Sequence, residues 1–386
     1  MSELKVGIVT KEWPPAVYGG AGVHVVQLTQ ALRSISGISV DVHCFGGKRD
    51  DAFGYSTPAE LTNANPAVQA LATDLEIASH LSTVDVVHSH TWYANMAGHI
   101  AALHYSIPHI VSAHSLEPLR PWKAEQLGSG YAISSWAEKT AYESAAAIIA
   151  VSDAMRSDVL TAYPSLEPGK VITIRNGVDT DKFAPNYDAS VAEKFAINGQ
   201  YAIFVGRITR QKGLAHLLRA WKDVPSEYGL VLAAGNPDEE GIGNEVAELI
   251  TELQKTRENI YWIKGMLPHH ELTALLTGAR LFICPSIYEP LGIVNLEAMG
   301  CETAVLASRV GGIPEVVTHG ETGELVDYIG DAITFESALT QSIMRLMSQP
   351  ELLAQYGVAG RIRATKDFGW EAVAQATVDL YRSVIA

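Results

Sequence analysis

The chain has 386 residues and carries 28 Lys and Arg against 43 Asp and Glu, a formal charge of −15. That balance excludes a broad nucleic-acid-binding face, which needs surplus cations to displace counterions. With 47% hydrophobic and 18% charged residues, no apolar run near the ~18 residues of a membrane span and no leader-like opening segment, a soluble, cytoplasmic, globular protein without membrane association is expected.

A length beyond what one core supports predicts two domains. In chain order, KVGIVT, SVDVHCF, VDVVHSH, HIVSAHS, AAIIAVS and VITIRNG are short, β-branched runs separated by helical stretches, the pattern of buried parallel strands in βαβ units. After Gly177 the polar stretch VDTDKFAPNYDAS reads as a linker. A second series follows: YAIFVGR, GLVLAAG, NIYWIKG, RLFICPS and TAVLASRV. The fold class is therefore α/β, with two doubly wound Rossmann-like domains at 1–180 and 181–369, an interdomain cleft, and a closing helix over 370–386 that either domain can claim. Cys44, Cys284 and Cys301 are odd in number and scattered, so they read as buried thiols rather than disulfide or zinc partners.

Ligands of such sheets sit beyond the C-terminal strand ends, which singles out the residues after each strand. The first strand leads into a glycine-rich turn, Gly19, Gly20 and Gly22, that opens a helix; glycine lets backbone N–H groups approach an oxyanion, and the helix start adds partial positive charge. The spacing is neither G-x-G-x-x-G nor a P-loop, which disfavours a dinucleotide oxidoreductase and an NTPase, and a plain tight turn explains it equally well. His88 and His90 lie two apart in VVHSHTWYAN and share a strand face. With no Cys or further His at zinc spacing nearby, packing or hydrogen bonding explains them better than metal ligation. His114 sits at the next strand end.

In the second half, Arg207 and Lys212 of GRITRQKG follow a strand and suit a diphosphate clamp, with Arg210 between them as the natural control. In YEPLGIVNLEAMG, Pro290 fits the first helical position, which leaves the N–H groups of Leu291 and Gly292 pointing outward to hold a phosphate. Glu297, further along the same helix, leans back toward a ribose, and Glu289 faces what lies beyond the phosphates. Met266, after another strand, is placed to meet the nucleobase.

Together, Gly19-Gly20, HSHTWY, SAHSLEP, VGRITRQKG and YEPLGIVNLEAMG resemble the retaining GT-B glycosyltransferases, specifically the bacterial glycogen synthase type including the actinobacterial α-maltose-1-phosphate synthases. The likeness runs from Lys5 through the last helix. It implies that Arg207 and Lys212 bind the donor diphosphate, Glu289 contacts the hexose, Glu297 holds the ribose, Gly20 supplies backbone contacts to the phosphates, His114 lies beside the reacting sugar, and the final helix returns to the first domain. The first domain then serves the acceptor and the second the nucleotide-sugar donor.

Two departures stand out. Classical members carry Lys-Thr-Gly-Gly-Leu where this chain has VYGGAG, and their HxHDW reads HSHTW, with Thr91 at the acid's place. The segment SLEPLRPWKAEQLGSGY is similar to the maltose-1-phosphate-forming enzymes, and its Arg120, Lys123 and Tyr131 are the candidates for binding the acceptor, with the two cations meeting the phosphate of glucose 1-phosphate. The expected activity is retaining α-1,4-glucosyl transfer from ADP-glucose, or UDP-glucose, to glycogen or glucose 1-phosphate, in glycogen biosynthesis. No cofactor or metal is expected beyond the donor substrate, and a homodimer is the commonest assembly. Competing classes are another GT-B hexosyltransferase, a nucleotide-sugar epimerase that needs no acceptor, a glycoside hydrolase using Glu289 and Glu297 as its two acids, and a sugar-nucleotide sensor without turnover.

Overall fold

A computed structural model describes residues 3–17, 19–121 and 123–385. The chain divides into two compact units, one of residues 1–177 with 370–386 and one of residues 178–369.

The first unit holds β1 (Leu4–Thr10), β2 (Ile38–Phe45), β3 (Phe53–Tyr55), β4 (Val86–His90), β5 (His109–Ala113), β6 (Ala147–Ala150) and β7 (Val171–Thr173). They form a parallel sheet in the order β3-β2-β1-β4-β5-β6-β7, with Val6 opposite Val40 on one side and Val86 on the other. Every residue of β4, β5 and β6 is buried, as expected of a sheet covered on both faces. Val25, Leu28 and Leu32, spaced three and four apart, turn one stripe of the helix Gly20–Arg33 onto Val6 and Ile8. The last helix, Trp370–Ile385, joins that same cluster through Val373, Ala374, Val378 and Tyr381.

The second unit holds β8 (Tyr201–Ile208), β9 (Gly229–Pro237), β10 (Ile260–Lys264), β11 (Leu281–Cys284), β12 (Val305–Ser308) and β13 (Gly323–Val326), parallel in the order β10-β9-β8-β11-β12-β13. Phe204, Leu232, Ile283 and Leu306 pack there with Leu217, Trp221 and Val246 from the covering helices. Cys44, Cys284 and Cys301 are buried free thiols. No described helix is long and apolar enough to cross a membrane.

The strand order reverses direction between β1 and β4 in one unit and between β8 and β11 in the other. These are the switch points at which the loops leaving neighbouring strands diverge and open a crevice. The loops after β1, β4, β8 and β11 contain Gly19, Thr91, Lys212 and Glu289 respectively.

Candidate functional site

In the second unit the loops after β8 and β11 are held against each other by backbone geometry. Gly213 has φ +65°, and a Cβ there would lie 1.9 Å from the carbonyl oxygen of Pro285, so only glycine lets the turn at Arg210–Lys212 come this close. Ile287 N–H donates to the Gln211 carbonyl at 2.9 Å, which joins the loops directly. Lys212 Nζ thereby reaches Glu289 Oε2 at 2.6 Å, and Ser286 Oγ donates to the same oxygen at 3.1 Å. Burial works most strongly against the Lys212 charge, but the Glu289 carboxylate and Cys284 together outweigh it, so the ammonium pKa is raised. Glu289 is 7% exposed, and its main-chain carbonyl accepts from Gly312 N–H at 3.0 Å.

Arg207 lies at an irregularity in the β8–β9 register, and its Nη1 donates to Asp238 Oδ1 at 2.5 Å. Arg210, the control position, instead faces Glu239 at 3.6 Å. Arg207, Lys212, Glu289 and Glu297 are brought together: the Lys212 charge acts on both carboxylates, and Arg207 acts on Lys212. Burial pushes the Glu297 carboxyl up to about 7, with Lys212 pulling the other way. Met266 follows β10 and is 77% exposed.

The helix start differs from expectation. Pro290 is not its first residue; the helix runs Ile293–Gly300, and Gly292, at φ +95°, is its N-cap without a side-chain capping bond. A left-handed glycine ends the loop and starts the helix in one step, so the first-turn N–H groups are those of Ile293 and Val294, while Leu291 is 1% exposed. Glu297 accordingly lies four residues from the first turn's start, roughly 6 Å along the axis.

In the first unit the glycine turn caps the helix Gly20–Arg33, with Gly19 at the N-cap. The anion expected at this helix start has an internal counterpart: Gly19 N–H donates to Glu12 Oε2 at 2.8 Å, and a Cβ on Gly22 would come within 2.4 Å of that oxygen. A phosphate here would have to displace a carboxylate.

His88 is fully satisfied, Nδ1 by the Tyr381 hydroxyl at 2.7 Å and Nε2 by Ser112 Oγ at 2.8 Å, a packing histidine. His114 is half-buried just past β5, and its Nε2 meets His90 Nδ1 at 3.0 Å. Burial lowers the His114 pKa to about 4, so the ring is neutral at physiological pH. Thr91, between His90 and the helix Trp92–Tyr105, takes φ +66°, unusual for a β-branched residue.

Arg120 and Tyr131 are brought to one residue, Glu117. Arg120 Nη2 lies 3.2 Å from Glu117 Oε1, and the Tyr131 hydroxyl donates to the Glu117 carbonyl at 2.7 Å. Lys123 opens the short helix Lys123–Leu127 and is half-buried.

Five residues at these sites escaped the sequence. Asp238 and Glu239 follow β9 and hold the two arginines, and acids after a strand could have suggested them. Glu12, two residues after β1, carried the same kind of signal. Glu117 and His24 carried none: the first is a buried acid inside SLEP, and the second lies on the first helix, 66 positions from the His90 ring it packs against.

Comparison with known proteins agrees with this architecture. The profile of the family Glycosyl transferases group 1 matches residues 190–363, and that of Glycosyltransferase Family 4 matches residues 18–182. The α-maltose-1-phosphate synthase of Mycolicibacterium smegmatis is 49% identical, covering 99% of this chain and 100% of that protein. A glycogen synthase of Mycobacterium tuberculosis is 26% identical over 98% of this chain and 94% of its own. Among solved structures, sucrose-phosphate synthase from Thermosynechococcus elongatus superposes with a TM-score of 0.83 at 23% identity, covering 99% of each chain, a likeness of fold. The chain is therefore a hexosyltransferase of the GT-B fold and belongs to the family of the α-maltose-1-phosphate synthases and bacterial glycogen synthases.

Proposed function

We propose that the protein transfers glucose from ADP-glucose to glucose 1-phosphate with retention at the anomeric carbon, forming α-maltose 1-phosphate for α-glucan synthesis, with UDP-glucose as the alternative donor and glycogen as the alternative acceptor. The observation that carries the reading is the Lys212–Glu289 pair with Arg207 beside it, at the switch point of the second sheet, together with the full-length likeness to α-maltose-1-phosphate synthase. A cation locked on a buried acid is pre-placed, so it needs no reorganisation when charge develops on a leaving diphosphate.

In the reaction the bond between the anomeric carbon and the diphosphate oxygen breaks and the bond to the acceptor's 4-hydroxyl oxygen forms on the same face. The acceptor's proton passes to the leaving phosphate oxygen. Arg207, Lys212 and the first-turn amides at Ile293 neutralise the departing charge. Glu289 holds the hexose hydroxyls, and Glu297 the ribose. His114, neutral, orients the sugar, while Arg120 and Lys123 meet the acceptor phosphate. No metal is required for this chemistry.

The test incubates the purified protein with ADP-glucose or UDP-glucose against glucose 1-phosphate or glycogen and scores products by mass and by the anomeric coupling in NMR. ADP release that depends on glucose 1-phosphate and yields an α-linked maltose 1-phosphate is expected. Donor epimerisation without an acceptor, or glucan cleavage without a nucleotide, overturns the reading.

A further inference from the structure

Three histidines of the first unit come from distant parts of the chain: His24 from the helix Gly20–Arg33, His90 from the end of β4, and His114 from just beyond β5. Their ring centroids lie 4.7 Å (His24–His114), 5.3 Å (His90–His114) and 5.5 Å (His24–His90) apart. One ring nitrogen from each falls within 4.8 Å of the others. His24 is 2% exposed, and neither of its ring nitrogens makes a hydrogen bond of ordinary geometry, the Asn176 side chain being a polar neighbour; the buried Nε2 of His90 has none either. Buried polar atoms without partners are rare in folded proteins, and an unfilled ligand position is one of the few physical reasons for them. His88, on the same strand as His90, shows the contrast, with both nitrogens satisfied.

We propose that His24, His90 and His114 form a binding site for a borderline divalent transition-metal ion, Zn2+ foremost, and that the bound ion inhibits the enzyme by withdrawing His114 from the sugar. The ligand set selects the ion. Three imidazoles with no carboxylate suit zinc, cobalt, nickel and copper, whereas magnesium, calcium and manganese want oxygen. Burial keeps the rings unprotonated at neutral pH, the form in which imidazole ligates. Zinc–nitrogen bonds of about 2.0–2.1 Å put tetrahedral ligand nitrogens roughly 3.3 Å apart, so the rings must draw inward by about 1.5 Å at most. His114, half-buried and past the end of its strand, has the room to make most of that movement. The fourth position stays open for water or a hydroxyl. The inhibitory consequence rests on the role proposed for His114; the site itself does not.

The full-length protein, treated with EDTA and then freed of it, is dialysed against Zn2+ or Co2+, and bound metal is counted per chain. We expect one tightly held ion, a tetrahedral Co2+ absorption band, and at least a tenfold weaker affinity in both His24→Gln and His90→Gln. In the wild-type chain, Zn2+ protects the His114 ring from diethyl pyrocarbonate, mapped by peptide mass, which reads the site without any substitution. No stoichiometric uptake, uptake unchanged in both variants, or no protection of His114 overturns the site. In the transfer assay Zn2+ should inhibit the wild type with the half-saturation found for binding, reversibly by EDTA, and should lose that inhibition in His24→Gln. Binding without inhibition upholds the site and overturns the inhibitory role.

Discussion

Arg207 and Lys212 share one expected task, but their surroundings give them different dependences on the fold. The Arg207 side chain is 41% exposed and its partner Asp238 20%, so the pair sits where water screens it and contributes at most about 1 kcal/mol to stability. Lys212 is 21% exposed and its partner Glu289 8%, so removing the ammonium leaves a largely buried acid without its cation, a change that costs up to about 3 kcal/mol. Arg207→Ala should therefore lower kcat by about 10²- to 10³-fold with a nearly unchanged melting temperature, since it removes a donor aimed at the leaving group and little else. Lys212→Ala should lose both turnover and stability. Steady-state kinetics and thermal melting on the two variants separate these effects. Normal turnover in Arg207→Ala removes that residue from the mechanism, and an unshifted melt in Lys212→Ala shows that the buried pair is not formed in solution.

At the scale of elements, the acceptor-side residues depend on a buried junction between the helix Gly130–Ser144 and the turn at Glu117–Leu119. Glu138 Oε1 accepts from Glu117 N–H at 2.9 Å and from the Tyr163 hydroxyl at 2.5 Å, while the Glu117 carboxylate takes Ser134 Oγ at 2.6 Å and Arg120. Burial, with the Glu117 charge adding to it, pushes the Glu138 carboxyl up to about 8. A carboxyl raised in the folded state keeps a proton that the unfolded chain loses at about 4.3. Between those values the folded form binds the extra proton, so stability from this group falls as pH rises toward 8, with a ceiling of about 1.4 kcal/mol per pH unit. Glu138→Gln keeps a carbonyl acceptor but has no proton to lose. It should gain on the wild type from about pH 4.3 upward and hold a constant margin above about pH 8, as read by urea unfolding at each pH. A margin between variant and wild type that stays flat across this range would mean that Glu138 is held ionised. Sequence reasoning could not foresee this junction, because SLEP shows an acid before a proline and nothing of its burial. The helix near Glu297 failed for a different reason: proline at a first helical position is a good local reading of EPLG, but the tertiary loop sets a left-handed Gly292 at the N-cap instead. There Gly311, at φ +51°, would set a Cβ 2.0 Å from the Glu289 carbonyl oxygen, a long-range constraint with no local signature.

For the whole molecule, the alternation of strands with helices made both parallel sheets legible, since buried apolar runs such as HIVSA and LFIC have no other stable place. The closing helix was legible as a helix, and the resemblance implied its return to the first unit, but not the contact that seats it, a hydrogen bond between residues 293 positions apart. Tyr381 and His88 are each 0% exposed, and the phenol hydroxyl against His88 Nδ1 is the polar contact that seats the Trp370–Ile385 helix in the first unit. The chain thus leaves the first unit after Gly177 and returns to it at Trp370, so the first unit cannot complete its core until the second has been made. Tyr381→Phe preserves the ring and its packing while leaving a buried imidazole nitrogen without its partner, at a cost of about 1–3 kcal/mol. Because openings follow cooperative units, that cost should fall on the first unit alone. Hydrogen exchange should then accelerate in β1, β4 and β5, the strands beside His88, and stay unchanged in β8, β9 and β11. Equal acceleration in both sheets would show that the two units open as one, and no acceleration in either would show that the closing helix contributes nothing to the core it covers.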